Sequence, residues 1–145
     1  MNHDVSILVV EDDEVDIRNI RRAFGRNGIR NPVHFVEDGE SALAFLRHEA
    51  PFEDPSDAPR PALILLDLNL PKMNGLEFLQ TYKEDPSLRD IPAVILTTSD
   101  EPTDRRRSYE YGISGYIVKP VSFESFTEAM RRFELYWSIC EVPDP

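Results

Sequence analysis

The side chains with chemical potential in this sequence sit where apolar runs stop. "ILVV" stops at Glu11, Asp12 and Asp13. "LILL" stops at Asp67, with Asn69 two residues on. "VIL" stops at Thr97, Thr98 and Ser99, and "GYIV" carries Tyr116 and stops at Lys119 and Pro120. A carboxylate such as Asp67 beside an apolar run is costly unless it is paired or binds a metal. Three carboxylates drawn together would repel, each with a raised pKa, unless a cation intervened. His3 lies in the tail, His34 inside a strand and His48 beside a loop, so the group contains no nitrogen or sulfur donor. An all-oxygen set favours Mg²⁺, with Mn²⁺ or Ca²⁺ as substitutes, over zinc or copper. A divalent cation, a carboxylate, a hydroxyl and a lysine around one point describe phosphoryl-transfer chemistry. The carboxylate can be the nucleophile and become an aspartyl phosphate. Lys119 and the metal would neutralise its oxygens, and Thr97 would add a hydrogen bond.

That chemistry requires the four chain segments to converge, and the periodicity supplies a way. "SILVV", "PVHFV", "ALILLDL", "IPAVILTTS" and "GYIVKP" read as five short strands. Helices are expected from Glu14 to about Asn27, closed by Gly28, and around Glu40 to Arg47, with Leu43 and Leu46 inward. Further helices start near Leu76, span about Pro102 to Tyr111 before Gly112, and follow a Ser122 N-cap. The pattern is (βα)5, an α/β chain with a doubly wound parallel sheet covered on both faces. Right-handed crossovers put every strand's C-terminal end on one edge, where ligands bind in such folds. The segment from Glu49 to Pro61 holds four prolines and four acids and is expected to be an extended surface loop.

The composition narrows the function classes. The 145 residues fit one domain, with 41% hydrophobic and 30% charged residues. Sixteen basic against 27 acidic residues give −11, which opposes non-specific binding to nucleic acid or anionic membrane. "RRR" at Arg105 to Arg107 reads as a solvated helix face or a partner contact. One cysteine, Cys140, excludes an internal disulfide, and no apolar run approaches a membrane span, so a cytoplasmic protein is expected.

Each strand-end motif alone has a bland reading: acids at a helix N-terminus, strand-end capping, a turn before proline. Their joint occurrence on one sheet edge favours a site. A haloacid-dehalogenase-type phosphatase also uses a nucleophilic Asp with Mg²⁺, but that class wants an Asp where Asn69 stands. A flavodoxin-like flavin binder wants a hydroxyl- and glycine-rich phosphate loop where this chain has "EDDE", which would repel anions.

The ordered set "ILVVEDDE", "LLDLNLPKMNG", "VILTTSD" and "GYIVKPV" resembles the receiver domain of two-component response regulators, over nearly the whole chain. The resemblance implies a flavodoxin-like sheet in order 2-1-3-4-5 and a single receiver, residues 1–145, with no output domain. It implies that Asp67 is the phosphoacceptor and that Lys119 pairs with a phosphoryl oxygen before a cis proline, Pro120. Asp12 would bind Mg²⁺ directly and Glu11 through water, with Asp67 and the Asn69 carbonyl completing the set. Thr97 and Tyr116 would be the switch residues, and Asp13 would be solvated or cap the first helix. The donor would be a phosphohistidine on a sensor histidine kinase. Beyond its own phosphorylation and slow dephosphorylation, no enzymatic activity is implied. Glu rather than the more frequent Asp at position 11 is one departure, and the long loop from Glu49 is another. That loop and "YWSIC" resemble the stand-alone receivers that accompany phytochromes, which suggests a bacteriophytochrome as the kinase.

Phe123, Phe126, Met130, Phe133, Trp137 and Cys140 form a stripe along the last helix. Its first half reads as core. Leu135, Tyr136 and Ile139 add apolar surface on other faces, so a homodimer is expected through Phe133, Tyr136, Trp137 and Cys140. Nothing after Cys140 reads as a DNA-binding element.

Overall fold

The computed structural model describes residues 5–138 and 140. Strands and helices alternate as β1 (Ile7–Val10), α1 (Glu14–Arg26), β2 (Val33–Val36), α2 (Gly39–Arg47), β3 (Leu63–Leu66), α3 (Gly75–Lys83), β4 (Ala93–Thr97), α4 (Pro102–Glu110), β5 (Gly115–Val118) and α5 (Phe123–Trp137). The five strands are all parallel, in the order β2-β1-β3-β4-β5. The expected α/β architecture and strand order are therefore both present. His3 and Ile139 lie outside the described residues.

Alternation along the central strands separates two cores. Leu8, Val10, Ile64, Leu66, Ala93 and Ile95 pack under α2 and α3. Ile7, Val9, Leu63, Leu65, Val94 and Leu96 face the opposite way, under α1 and α5. This is why β1, β3 and β4 are continuous apolar runs: each residue is covered on one face or the other.

The helix starts are set by side-chain caps, of which Ser122 was expected and Asp13 was one of two readings. Asp13, Asp38 and Ser122 each accept a backbone N–H in the first turn of α1, α2 and α5. Asn74 and Glu77 form a reciprocal capping box on α3. Gly28, at φ +69°, follows α1 in the left-handed region, and Gly112, at φ +90°, does the same after α4. Helix α4 is the polar exception, with Ser108 its buried residue.

One expectation is refined and two need correction. The segment 49–61 is the expected irregular and mostly exposed loop, but it is anchored at a few points. Phe52 packs edge-on against Phe45, Ala58 is buried, the Ala58 carbonyl lies 2.8 Å from His48 Nε2, and Arg60 donates to the Ser87 carbonyl at 2.7 Å. Proline spacing excluded a regular element but could not reveal that its apolar residues cap the α2 core. Secondly, the cis peptide among the described residues is Ala50–Pro51, and Lys119–Pro120 is trans. The two isomers before proline differ by only about 0.5–1 kcal/mol, so residue types do not decide between them.

Thirdly, the apolar stripe of α5 is core from Phe126 to Trp137, not only in its first half. Phe133 and Trp137 stack on each other and are buried with Phe126 and Met130 against α1 and the sheet. Phe133 also lines the open cleft beside β5, so burial removes most of its surface but not all of it. Helical spacing marks one face without saying whether the same chain covers it. The exposed apolar residues of α5 are Leu135 and Tyr136. Phe123, at the start of the stripe, instead lies under the guanidinium groups of Arg22 and Arg26.

Gly75 opens α3 directly against the end of β3, and a Cβ there would collide with the Asp67 carbonyl and the Leu68 Cα. That backbone cannot yield without moving Asp67. Gly75→Ala is therefore expected to destabilise by about 1–3 kcal/mol in urea unfolding. Gly25→Ala, in open space on α1, should instead stabilise by up to about 1 kcal/mol. Equal effects of the two substitutions would contradict the close approach.

Candidate functional site

Parallel pairing continues one residue past the strands and sets the site. Asp67 N–H donates to the Val10 carbonyl at 3.1 Å, Glu11 N–H to Val36 at 2.9 Å and Lys119 N–H to Thr97 at 2.7 Å. Glu11, Asp67, Thr97 and Lys119 are thus held at one edge by the sheet's own ladder.

Their side chains close on one another. The Lys119 ammonium, 5% exposed, donates to Glu11 Oε2 at 2.7 Å, Asp16 Oδ2 at 2.9 Å and Asp67 Oδ2 at 3.0 Å. An ammonium has three N–H donors, so all three are used. The second oxygens of two carboxylates are fixed by backbone: Glu11 Oε1 accepts from Asp13 N and Asp67 Oδ1 from Asn69 N, both at 3.1 Å. The Thr97 hydroxyl lies near enough to Asp67 to favour its charged form.

These contacts give the two buried acids different characters. Burial pushes Glu11 up to about 7, reinforced by the Asp67 charge and only partly offset by Lys119. Burial acts on Asp67 too, but the Lys119 charge, the Asn69 amide and the Thr97 hydroxyl outweigh it and hold its pKa below the usual value. Lys119 is likewise raised: burial disfavours its charge, but bonds to Glu11 and Asp16 and the Asp67 charge prevail. Asp67 is the ionised carboxylate of the group, as a nucleophile must be.

The expected residues are distributed unevenly. Glu11, Asp67, Thr97 and Lys119 meet as anticipated. Asp12 is exposed at the rim, and Asn69 is exposed with its N–H on Asp67. Asp13 is the N-cap of α1 and accepts from Asp16 N at 3.0 Å. Tyr116 donates to the Ser99 carbonyl at 2.8 Å. Asp16 was not anticipated. The signal was available: three residues after an N-cap, its Cβ tilts back toward the helix N-terminus and so toward the strand ends.

The donor set suits a hard divalent cation. Glu11, Asp16 and Asp67 can each offer an oxygen, all within 4.8 Å of one another. Such a cation would take oxygen ligands alone, as found here.

The description "response regulator receiver domain" matches residues 7–131. The chain belongs to this family. Response regulator Rcp1 of Synechocystis sp. is 37% identical over 131 residues, 90% of this chain and 87% of that protein. A crystal structure of Mn²⁺-bound Rcp1 superposes with a TM-score of 0.88, covering 97% of this chain and 99% of that one. The phosphorylated cyanobacterial phytochrome response regulator RcpA, 37% identical, gives 0.88 over the same shares. The bacteriophytochrome response regulator RtBRR, 42% identical, gives 0.77 over 98% of this chain and 85% of that one. The receiver is thus related to regulators associated with phytochromes. The phosphatase alternative has no support in this kinship.

Removing the ammonium from the receiver's site would leave three carboxylates facing one another. Lys119→Ala is expected to lose about 3 kcal/mol of stability in chelator, the scale for breaking a buried ion pair. Millimolar Mg²⁺ should recover part of that loss. Urea unfolding in EDTA and in MgCl₂ measures both, and an undiminished stability in EDTA would contradict the ion-pair account.

Proposed function

We propose that Asp67 is the phosphoacceptor of a Mg²⁺-dependent phosphorelay switch, receiving its phosphoryl group from a sensor histidine kinase. The observation that carries this reading is an ionised, nearly buried Asp67 facing Lys119 and Thr97 on one sheet edge. An Asp67 oxygen attacks the phosphorus of the donor phosphohistidine. The P–N bond breaks, and its electron pair stays on the imidazole nitrogen, which takes a proton. Lys119 neutralises a phosphoryl oxygen and Thr97 donates to another. A divalent cation held by Glu11, Asp12, Asp67 and the Asn69 carbonyl would neutralise the remaining charge. Mg²⁺ is the proposed cation, and the Mn²⁺-bound form of Rcp1 supports the class of ion. Slow attack by water on the phosphorus releases phosphate and restores the carboxylate.

The new charge is read through a short hydrogen-bonded path. Thr97 Oγ1 accepts from Ser99 N at 3.3 Å, and the Ser99 carbonyl accepts from the Tyr116 hydroxyl. Movement of Thr97 toward a phosphoryl group therefore disturbs the loop to which Tyr116 is tied. Tyr116 lines an open cleft of about 850 Å³ between α4, β5 and α5, with Tyr109, Ile117, Arg132 and Tyr136 also on its walls. This is the face proposed to contact a partner protein. Tyr109, Val118, Leu135 and Tyr136 are exposed around it, which supports a homodimer packed through α5 with Tyr136 and Cys140 at the contact. Phe133 and Trp137 support that helix from beneath.

Kinship to RcpA and RtBRR supports a bacteriophytochrome as the histidine kinase. A cytoplasmic location follows from that partnership. No helix among the described residues is long and apolar enough to cross a membrane.

Incubation with Mg²⁺ and acetyl phosphate should add one labile phosphate to the intact protein by mass spectrometry, absent in Asp67→Asn. Modification surviving in D67N would overturn the assignment. For the dimer, sedimentation of Tyr136→Glu should show a smaller species than the parent. An unchanged mass would remove the α5 contact.

A further inference from the structure

The third partner of Lys119 has a property that the other two lack. Glu11 and Asp67 are 2% and 7% exposed, and each is also pinned by a backbone amide through its second oxygen. The Asp16 side chain is 32% exposed and bonds Lys119 through Oδ2. Water can solvate Asp16 if it lets go, whereas release of Glu11 or Asp67 would strand a buried charge. Asp16 is therefore the carboxylate that can exchange partners at lowest cost.

An exchange is required if a divalent cation enters. The oxygens that bind Lys119 belong to the group that would receive the cation, so ammonium and cation draw on the same electrons. Every N–H of the ammonium is engaged, and a phosphoryl oxygen can gain Lys119 only if one carboxylate gives up its share. Asp16 stands on α1, outside the strand-end ladder that fixes Glu11 and Asp67.

We propose that Asp16 is a third carboxylate arm of the divalent-cation site, holding Lys119 in the free protein and turning to the cation's water shell when the site is loaded, which frees one Lys119 donor. This rests on the phosphorelay reading of the same site. Asp16 shapes the site without taking the phosphoryl group.

The test is Mn²⁺ affinity of the full chain, read from free Mn²⁺ by electron paramagnetic resonance. Asp16→Asn should weaken binding about tenfold, the usual lower bound for losing an outer-shell partner. Glu14→Gln removes an equal charge from an exposed position in the same helical turn and should change the Kd by less than about twofold, since screened surface charges act weakly. Far-UV circular dichroism in EDTA verifies the fold. If D16N does not fold, Asp16→Ser is held to the same thresholds. Binding within about twofold of the parent, or an equal loss in E14Q, overturns the proposal. A parent chain that binds no Mn²⁺ overturns the underlying cation site instead.

Discussion

Three acids share one ammonium, and the rest of this structure answers that constraint. Lys119 comes from the end of β5, Asp67 from β3, and Glu11 and Asp16 from the end of β1 and the start of α1, three stretches distant in the chain. Repulsion among the carboxylates would drive them apart were they not held by parallel strands whose pairing runs to their last residues. The two apolar cores exist on either side of that sheet and fix its register. Stability built into the cores is thereby spent on holding charges closer than they would choose. Three carboxylates against one ammonium leave an excess of negative charge, which a divalent cation would offset.

In the proposed switch, the surroundings would convert that charge balance into a signal. Gly75 lets α3 press against the Asp67 backbone, and Gly39 lies as close to Met73, donating to its carbonyl at 3.0 Å. The loop after β3 is thus braced and cannot absorb a change at Asp67. The loop after β4 is held differently. Ser99 links Thr97 to Tyr116, and its hydroxyl donates to Asp104 at 2.7 Å in the first turn of α4. A change at Asp67 therefore has a short bonded route toward the cleft beside α4 and α5. In the proposed switch, asymmetric support of this kind would direct a local electrostatic event to one surface.

Much of this was legible in the residue order. Apolar runs ending in Glu11, Asp67, Thr97 and Lys119 fixed both the fold class and the convergence, because parallel topology places all strand ends together. Ser122, and Asp13 as one of its two readings, marked helix starts, whereas the Asn74 cap of α3 was not read. What escaped depended on facts that spacing does not carry. Asp16 was hidden because a helical acid in a first turn ordinarily serves the helix dipole. Trp137 and Phe133 looked like an interface because periodicity identifies a face, while the packing of α1 against it decides who covers that face. The segment 49–61 is the irregular surface loop its prolines imply, but that Phe52 and Ala58 anchor it could not be read from them. The Lys119–Pro120 isomer was implied by kinship, and the structure has it trans.

The central claim is that Lys119 and Asp67 interact as a buried pair at the sheet edge. A double-mutant cycle with Asp67→Asn, Lys119→Met and the two combined, by urea unfolding in EDTA, measures that interaction directly. The account predicts a favourable coupling free energy of at least about 1 kcal/mol, as expected for side chains in contact within one ionic network. Additivity of the two single substitutions to within about 0.3 kcal/mol would contradict it.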